Sequence, residues 1–511
     1  MVAGAVAVDS ANIGYAQFLD PNRKWYNNKR LIALNAWIVL LIFLSHCCPG
    51  LASLHRRQTD TMENIGSLAG YPFAPYTSDG IGRRPTVFLG ATIMCAAVTL
   101  QTASQNVHMF IAARFLIGFG LSFAANSAPM LVSEIAYPPH RAALTSLYNS
   151  LWYSGSIIAA WTTFGSFRIP SSWAWRLPSL IQGLPSMLQV CLVWFAPESP
   201  RWLVSKGRER QALKTLAYYH ADGNEEHPLV QYEFEEIRAA ISFDRTVAAN
   251  VGWKSFITSP GNRKRLRIII AIAFFSQWSG NGLVSYYLNK VFDAIGITDP
   301  TTQLLINGIL QIWNLSIAMI ASFLAERVGR RTLFLTSCFG MIVFWTGQTV
   351  CFKLSETSIP AAHGTIAFIF LYYMAYDIAF APLIVSYTVE ILPYAIRAKG
   401  FNIFNFIVSI GLIFNQYVNP VALAHLSWRY YIVYACWLLF EAAFCYVYIV
   451  ETKGRTLEET AALFDGINPA DLIENNEDSL AGEADVKEIH EDGGKASESR
   501  ISVVGVEEIS V

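Results

Sequence analysis

The sequence predicts an all-α membrane protein with twelve transmembrane helices in two pseudo-symmetric six-helix bundles. Three observations predict this fold. The chain has 511 residues, of which 53% are hydrophobic and only 15% charged, which is too apolar for a soluble protein of this length. Apolar segments of about 20 residues, the length that crosses a bilayer, recur throughout. A charged hairpin between two such segments occurs twice, at 79–85 and again at 326–332.

Twelve apolar segments are predicted, six in each half. The first half holds 31–54, 61–78, 85–104, 108–132, 142–165 and 176–196, and the second half holds 268–292, 303–325, 332–353, 364–388, 399–424 and 428–450. The first segment is atypical, because only 31–44 is mostly apolar and a basic run follows at 55–57. Those charges would lie on the outer face, where the other loops carry few basic residues.

Two further signatures repeat in the same order as the hairpin. The stretches 134–141 and 390–397 each begin with glutamate and end with arginine. The stretches 198–201 and 451–455 form a looser third pair, each joining a glutamate to an arginine. Three paired signatures in one order indicate that the chain is one half written twice, as many secondary transporters are.

Charge divides the chain into five parts. Basic residues in every second short loop predict that these loops and both termini are cytoplasmic. The predicted parts are a tail over 1–30, a six-helix bundle over 31–200, a linker with amphipathic helices over 201–266, a second six-helix bundle over 267–450 and a tail over 451–511. Acidic residues dominate the last part, which holds too little apolar surface to fold, so we expect it to be largely disordered.

The sequence argues against several classes of function. It has no Walker A loop and no GxGxxG motif, so neither ATP hydrolysis nor dinucleotide chemistry is predicted. Most of the eight cysteines stand singly in apolar segments and no CxxC pair occurs, so we predict neither disulfides nor a metal site. We expect no cofactor, no nucleic-acid partner and no enzymatic activity.

Six stretches carry a specific resemblance. They are DGIGRR at 79–84, ERVGRR at 326–331, RFLIG at 114–118, SEIAYPPHR at 133–141, PESPRWL at 197–203 and VETKGRTLEE at 450–459. Together they resemble the sugar porter family of the major facilitator superfamily, and most of all its fungal lactose-permease and hexose-transporter members. The resemblance covers about residues 61–460 and implies two bundles around a central sugar site that opens alternately to each side of the membrane.

A sugar site needs neutral amides and aromatic rings, because each hydroxyl both donates and accepts hydrogen bonds. On the fifth segment, Asn149 stands where the family has a sugar-binding glutamine. A hydrogen bond between helices is the alternative role for Asn149. On the eighth segment, Asn314 matches the family's asparagine and is predicted to bind substrate.

The seventh segment resembles the family's QxSGxN and YY pattern. Gln277 and Asn281 supply its amides, and Tyr286 and Tyr287 supply its aromatic pair. Ser276 replaces one expected glutamine and the asparagine falls one place early, so we expect a different ligand geometry from that of hexose carriers. Paired glycines are expected to loosen the helix here; the tyrosines alone could also be the lining of a kink.

The tenth and eleventh segments complete the predicted lining. Asp377 matches an acidic position of the family, with gating or proton handling as one role and a buried acid held by hydroxyls as the other. A break is predicted at 381–382, and Val385 stands where many relatives have a sugar-stacking tryptophan. Asn402 and Asn405 are predicted to add polar groups to the site.

Arg114 lies inside the fourth segment, where an unpaired charge is costly, so it needs a partner or a watery cavity. In proton-coupled members of the family, the resemblance pairs this arginine with an aspartate of the first helix. The region 44–62 lacks the Gly-Tyr-Asp pattern that would supply it. A structural charge that binds backbone carbonyls is the alternative.

Acids and arginines cluster at the cytoplasmic ends of both halves. We expect ion pairs across the seam between the halves, which hold the inner side closed and break when it opens. Alternatively, the arginines only fix the topology. The residues are Asp79, Arg83, Arg84, Glu134, Arg141, Glu326, Arg330, Arg331, Glu390 and Arg397.

The sequence therefore predicts a monomeric sugar transporter of the plasma membrane. It would move a hexose or a disaccharide by alternating access, with proton symport expected from the resemblance and facilitated diffusion as the other mode. Three alternatives stay open at this point. They are a sugar sensor of the same fold that does not transport, a porter of polyols, inositol or quinate-like acids, and an inactive splice product with a damaged first helix.

Overall fold

The computed structural model describes residues 28–50, 57–247, 253–294, 296, 298–355, 358–426, 428–454, 460, 463 and 464. Within these ranges the chain forms twenty α-helices and two short 3-10 helices. The first half contains α1 (Lys29–Gly50), α2 (Arg57–Gly70), α3 (Ala74–Ile81), α4 (Arg83–Thr102), α5 (Val107–Ile135), α6 (Arg141–Ser150), α7 (Trp152–Ser166) and α8 (Trp173–Leu192).

The linker and the second half continue this helical series. The linker contains α9 (Pro200–Ser205), α10 (Glu209–His220), α11 (Pro228–Val247) and α12 (Ser255–Thr258). The second half contains α13 (Pro260–Trp278), α14 (Asn281–Ala294), α15 (Pro300–Val328), α16 (Arg330–Leu354), α17 (Ile359–Ala379), α18 (Leu383–Glu390), α19 (Tyr394–Leu426) and α20 (Arg429–Tyr448).

Twelve membrane-spanning segments result, because four of them are built from two helices each: α2 with α3, α6 with α7, α13 with α14 and α17 with α18. In the described part, eight helical stretches are long and apolar enough to cross a membrane, and they form the third, fourth, sixth and eighth to twelfth segments. The first segment, α1, is a regular helix of 22 residues, which is about 33 Å at 1.5 Å per residue. It covers residues 31–50 of the predicted segment 31–54 and packs against α7 and α8.

Most of the helix breaks have a local cause. Pro72 lies between α2 and α3, Gly280 with a φ of +108° lies between α13 and α14, and Pro382 lies between α17 and α18. Proline lacks the N–H that continues a helix, and a positive φ favours glycine. The predicted break at 381–382 is confirmed, and the glycine-loosened seventh segment is broken as expected. The break at Leu151, between α6 and α7, involves neither residue type.

The linker forms a small helical core of its own. Helices α10 and α11 are the amphipathic helices predicted for the linker 201–266. Their apolar faces pack with α9 around Trp202, Leu216 and Val230. His220 joins this core to the first bundle, because its Nδ1 lies 2.7 Å from Glu233 Oε2 and its Nε2 lies 3.4 Å from the carbonyl oxygen of Ile135.

The two halves meet along a seam formed by α2 and α19 on one side and by α6, α7 and α15 on the other. One end of the seam carries the hairpins 79–85 and 326–332, and we call this end the hairpin face. At the opposite end, the Thr61 hydroxyl donates to Gln416 Oε1 at 2.9 Å. Contacts between the halves therefore exist at both ends of the spanning region.

Candidate substrate site

The first hairpin is closed by an acid from the end of its own half. Gly82 has a φ of +114°, and a Cβ atom there would lie 2.6 Å from Glu198 Oε2. The Glu198 carboxylate accepts hydrogen bonds from the backbone N–H groups of Arg83 and Arg84, each at 3.2 Å. Burial raises the pKa of the Glu198 carboxyl, and the hydrogen bonds it accepts act in the opposite direction. Since these N–H groups begin α4, the acid caps the positive end of that helix.

The second hairpin has the same construction. Gly329 has a φ of +101°, and a Cβ atom there would lie 2.6 Å from Glu451 Oε2. Glu451 accepts hydrogen bonds from the backbone N–H groups of Arg330 at 2.9 Å and Arg331 at 3.1 Å. The duplication read from the sequence is therefore also a duplication of contacts.

The guanidinium groups beside the hairpins bind acids of their own half. Arg83 Nη1 lies 3.0 Å from Asp79 Oδ1, and Arg83 Nε lies 3.3 Å from Glu134 Oε2. In the second half, Arg330 Nη2 lies 3.0 Å from Glu390 Oε1. We expected these charges to pair across the seam, and this expectation needs correcting: the contacts just described lie within one half, where each arginine also stabilises the hairpin fold.

One described ion pair does cross the seam. Arg397 Nη1 of the second half lies 3.7 Å from Glu134 Oε1 of the first half, with both side chains buried. Arg84 and Arg331 instead donate to backbone carbonyls, at 3.0 Å to Ala196 and at 2.9 Å to Tyr446. Arg141 begins α6 and has a half-buried side chain. The closure of the hairpin face therefore includes a buried Glu134–Arg397 contact.

The middle of the seam is closed by polar contacts to the tenth segment. Asn149 of α6 donates a hydrogen bond from Nδ2 to the carbonyl oxygen of Ala381. The Tyr153 hydroxyl of α7 donates to Asp377 Oδ1 at 2.6 Å. Both acceptors belong to α17 or to the break that follows it. Asn149 and Asp377, chosen from sequence, thus lie on opposite sides of one interface.

The amides of the seventh segment lie at its break. Asn281 Nδ2 donates to the Tyr376 hydroxyl at 3.1 Å and to the Ser276 carbonyl at 3.0 Å. Gln277 Nε2 donates to the Ser276 hydroxyl at 3.2 Å. The backbone carbonyl of Gln277 accepts from Asn415 Nδ2 of α19 at 2.6 Å. The break is therefore tied to the tenth and eleventh segments, and the Asn281 amide contacts the tenth.

Several buried polar atoms of the second half have no hydrogen-bond partner in the described part of the chain. They are Asn281 Oδ1, Asn314 Oδ1, Asp377 Oδ2 and Asn405 Nδ2. A buried polar atom without a partner is unfavourable by about 1–3 kcal/mol, so such atoms mark a place where a ligand can bind. The group combines acceptors with a donor, which suits hydroxyl groups.

Other expected site residues fall elsewhere. The side chains of Tyr286, Tyr287 and Glu326 lie outside the described part. Asn402 lines a pocket of about 360 Å³ between α3 and α19 near the hairpin face, and none of its lining residues belongs to the breaks of the seventh and tenth segments. Its lining residues are Tyr71, Pro72, Tyr76, Trp253, Asn402, Ile403 and Phe406. Among the described residues, no three His, Cys, Asp or Glu side chains are arranged to hold a metal ion.

Arg114 has a partner that sequence reasoning missed. Its Nη1 lies 2.9 Å from Glu63 Oε2, and both side chains are buried. The Arg114 guanidinium also lies over the Phe110 ring, 5.5 Å from its centroid. Glu63 belongs to α2. The acid therefore comes from the second segment, whereas the resemblance places it in the first. Its position inside a spanning segment was the available signal.

Asn126 is a second residue that sequence reasoning missed. It lies in α5, is fully buried, and neither atom of its amide has a hydrogen-bond partner in the described part of the chain. An amide inside an apolar segment is a site candidate on the same ground as Asn149 or Asn314. No family motif covers Asn126, which is why the residue was passed over.

Comparison with known proteins gives a consistent picture. A family model described as "Sugar (and other) transporter" matches residues 58–464. The chain is 26% identical to the high-affinity glucose transporter of Kluyveromyces lactis, over 77% of the chain and 74% of that protein. It is 28% identical to polyol transporter 5 of Arabidopsis thaliana, over 79% of the chain and 78% of that protein.

A solved structure shares the fold. The proton:xylose symporter XylE bound to 6-bromo-6-deoxy-D-glucose superposes with a TM-score of 0.74, over 85% of the chain and 99% of XylE, at 21% identity. At that degree of identity the likeness shows the fold alone, which is two bundles of six spanning segments.

Proposed function

The chain belongs to the sugar porter family of the major facilitator superfamily, and we propose that it carries a neutral sugar across the plasma membrane by alternating access. The substrate would bind at the seam between the halves, among the breaks of the seventh and tenth segments. Hexose and disaccharide are both compatible with an amide-lined seam. We propose a monomer with both termini in the cytoplasm, so that the hairpin face is the cytoplasmic one.

The single observation that carries this proposal is the set of unpaired buried atoms at the seam. Asn281 Oδ1, Asn314 Oδ1 and Asp377 Oδ2 are buried polar atoms without a partner in the described ranges. They belong to three different helices of the second half, while Asn149 and Tyr153 approach from the first half. A sugar ring could pair with these atoms through several hydroxyls at once. Binding would therefore repay the unfavourable burial of these atoms.

The seam contacts supply a route for alternation. On this proposal, the Glu134–Arg397 pair closes the cytoplasmic side and breaks when the substrate leaves inward. The Thr61–Gln416 hydrogen bond closes the outer side and breaks when the substrate enters. On this proposal the protein exchanges between two states, each of which keeps one of these closures and breaks the other.

We further propose that the Glu63–Arg114 pair couples transport to protons. A buried arginine stabilises the carboxylate of Glu63, and protonation of that carboxylate would weaken the ion pair. Glu63 would then replace, from the second segment, the aspartate that proton-coupled relatives carry in the first. The proton would move with the sugar if only the protonated, sugar-bound and the empty, deprotonated proteins change sides.

Flux into proteoliposomes tests the proposal. Purified protein is reconstituted and counterflow is measured with labelled D-glucose, D-xylose, lactose and sorbitol. We expect saturable counterflow of at least one sugar, and Asn314→Ala to raise its KM about tenfold because one buried hydrogen bond to the ligand is lost. Ser316→Ala on the exposed face of the same helix is the control. Unchanged kinetics in Asn314→Ala would remove that residue from the site.

The same measurement separates the alternatives. A sensor of this fold would bind sugar without counterflow in vesicles, and an inactive splice product would do neither. Sorbitol in the panel matters because one of the similar proteins is a polyol transporter. Counterflow of sorbitol with none of the three sugars would make the protein a polyol porter and overturn the assignment of a sugar.

A further inference from the structure

A buried acid of the twelfth segment, Glu441, lies outside every role assigned so far. It belongs to α20 and is fully buried. Both of its carboxyl oxygens lie close to the Ser279 hydroxyl, at 3.1 Å and 3.0 Å. Ser279 is the first of the two residues that form the break between α13 and α14. Glu441 is therefore in direct contact with the break that carries two of the proposed substrate-binding amides.

The break itself has a tightly defined shape. Gly280 has a φ of +108°, and a Cβ atom there would lie 2.5 Å from the Trp345 ring. The Tyr372 hydroxyl donates to the Ser279 carbonyl at 2.8 Å, and the Tyr376 hydroxyl donates to the Ser276 carbonyl at 2.7 Å. These hydroxyls satisfy carbonyls that the interrupted helix leaves free. The backbone of the break is thus held by the tenth segment.

Glu441 of the twelfth segment contacts the side chain of Ser279, whose carbonyl the tenth segment binds. The Ser279 hydroxyl also contacts the carbonyl oxygen of Phe275, one helical turn earlier. A serine hydroxyl has one hydrogen, and a carbonyl oxygen has none to give. When the Ser279 hydrogen is donated to Phe275, the contact between Ser279 and Glu441 needs a hydrogen from the carboxyl group, which requires the protonated acid.

The surroundings of Glu441 agree with a neutral acid. The titratable groups that face it are the Cys338 thiol of α16, the Tyr372 hydroxyl of α17 and the Tyr434 hydroxyl of α20. In the described part of the chain, no Lys, Arg or His forms an ion pair with it. A buried carboxylate without a cation is strongly unfavourable, whereas a carboxylic acid can donate one hydrogen bond and remain buried.

We propose that Glu441 is a positioning residue that acts as a permanent hydrogen-bond donor to Ser279. It fixes the angle of the seventh-segment break and thereby places Gln277 and Asn281 for the substrate. Its proton is not exchanged in the transport cycle, which separates its role from that of the Glu63–Arg114 pair. This inference rests on the proposed function, because it assumes that the amides at the break bind the substrate.

The experiment compares three variants in proteoliposomes. Glu441→Gln keeps a side-chain donor of similar size, so we expect a KM within twofold of the original protein and an unchanged pH profile of uptake. Glu441→Leu removes the donor, and we expect KM to rise about fivefold to tenfold with kcat changed less than threefold. Ser279→Ala removes the acceptor and should have the same effect. Cys436→Ala, on the exposed side of the same helix, is the control.

The double variant Ser279→Ala, Glu441→Leu completes the cycle. Because the two residues form one contact, we expect its KM to equal that of either single variant, whereas independent effects would multiply. The inference is overturned if Glu441→Gln loses the pH profile, if Glu441→Leu leaves KM unchanged, or if the two effects multiply. Absence of sugar flux in the unaltered protein would instead overturn the proposed function.

A folding defect in Glu441→Leu is detected by its thermal unfolding in detergent. Ser279→Ala removes the same hydrogen bond without altering the acid, so it decides the matter on its own. A KM increase in Ser279→Ala with unchanged thermal stability supports the positioning role. An unchanged KM in a well-folded Ser279→Ala counts against it.

Discussion

Glu63 and Arg114 form a buried ion pair between the second and fourth segments, with Oε2 and Nη1 2.9 Å apart. Each charge would be costly inside a membrane protein without the other. The Ser67 hydroxyl, one turn from Glu63, donates to the Gly118 carbonyl at 3.0 Å and marks the close packing of these two helices. The pair is therefore held in a fixed geometry, where loss of one charge has a direct effect on the other.

Glu63→Gln should abolish concentrative uptake while leaving exchange. A neutral amide cannot take up or release a proton, so the sugar gradient can no longer be driven by a proton gradient. We expect the accumulation ratio to fall to about one, with counterflow reduced less than fivefold, because the amide oxygen still accepts the hydrogen bond from Arg114. The measurement is sugar uptake into proteoliposomes with and without an imposed pH gradient.

The control for this prediction is Ser67→Ala, which alters the same interface without touching a titratable group. It should retain accumulation. If Glu63→Gln accumulates sugar as well as the original protein, the coupling proton is bound elsewhere.

Tyr153→Phe should destabilise the closed seam. The hydroxyl is the described partner of Asp377 Oδ1, at 2.6 Å across the two halves. Its removal leaves a buried polar atom unpaired, which is unfavourable by about 1–3 kcal/mol. We expect a lower unfolding temperature in detergent, and partial recovery in the double variant Tyr153→Phe, Asp377→Leu because the stranded polar group is gone. Equal stability of Tyr153→Phe and the original protein would contradict the importance of this contact.

Arg397→Ala should favour opening at the hairpin face. Its guanidinium contacts Glu134 of the other half, and both side chains are buried, so the variant leaves an acid with one fewer counter-charge. We expect kcat to change several-fold with KM changed less than twofold, and a cysteine introduced at the hairpin face to react faster with a thiol reagent. Arg327→Ala removes an exposed arginine of the hairpin 326–332 at the same face and is the matched control. A change in KM alone would place Arg397 in the substrate site rather than in the closure.

The fourth prediction concerns pH and His140, which lies between the fourth and fifth segments. Burial, with a smaller effect from nearby His220, lowers the pKa of His140 below its ordinary value of 6.5. Between the two values the unfolded chain binds more protons than the folded protein, so stability falls as the pH drops below about 6.5. The neutral ring also accepts from Asn35 Nδ2 at 3.4 Å, which a protonated ring could not do.

The measurement for His140 is the unfolding temperature in detergent between pH 5.5 and 7.5. We expect His140→Gln to reduce the pH dependence of that temperature, because glutamine does not titrate in this range. Identical pH dependence in the variant and the original protein would show that other groups account for it.

Sequence alone determined much of this fold because its signals are local. Gly82 and Gly329 lie in the two hairpins from which the duplication was predicted. Both have a positive φ angle, and both are covered by an acid in their own half. The breaks at Gly280 and Pro382 fall at residue types that favour a helix break. Residue type alone does not decide this, because Pro129, Pro185 and Pro420 lie inside continuous helices.

The partners at the seam could not be predicted in the same way. Tyr153 and Asp377 are more than two hundred positions apart, and no spacing in either segment points to the other. The family pattern places the partner of Arg114 in the first segment, whereas Glu63 lies in the second. Asn402 shares the residue type of the other site candidates but turns to the pocket beside α3. Which neighbour a polar side chain meets depends on helix rotation and packing, and these are properties of the whole fold.

The acid caps Glu198 and Glu451 have a consequence for how motion is distributed. Each fastens the start of one helix to the end of another within a single bundle, through two backbone N–H groups. A tilt of one bundle against the other leaves both sets of hydrogen bonds intact, so each hairpin moves together with its own bundle as a rigid unit. Substitutions that alter transport rate should therefore be found at the seam between the bundles, and substitutions in the two capped hairpins should be few.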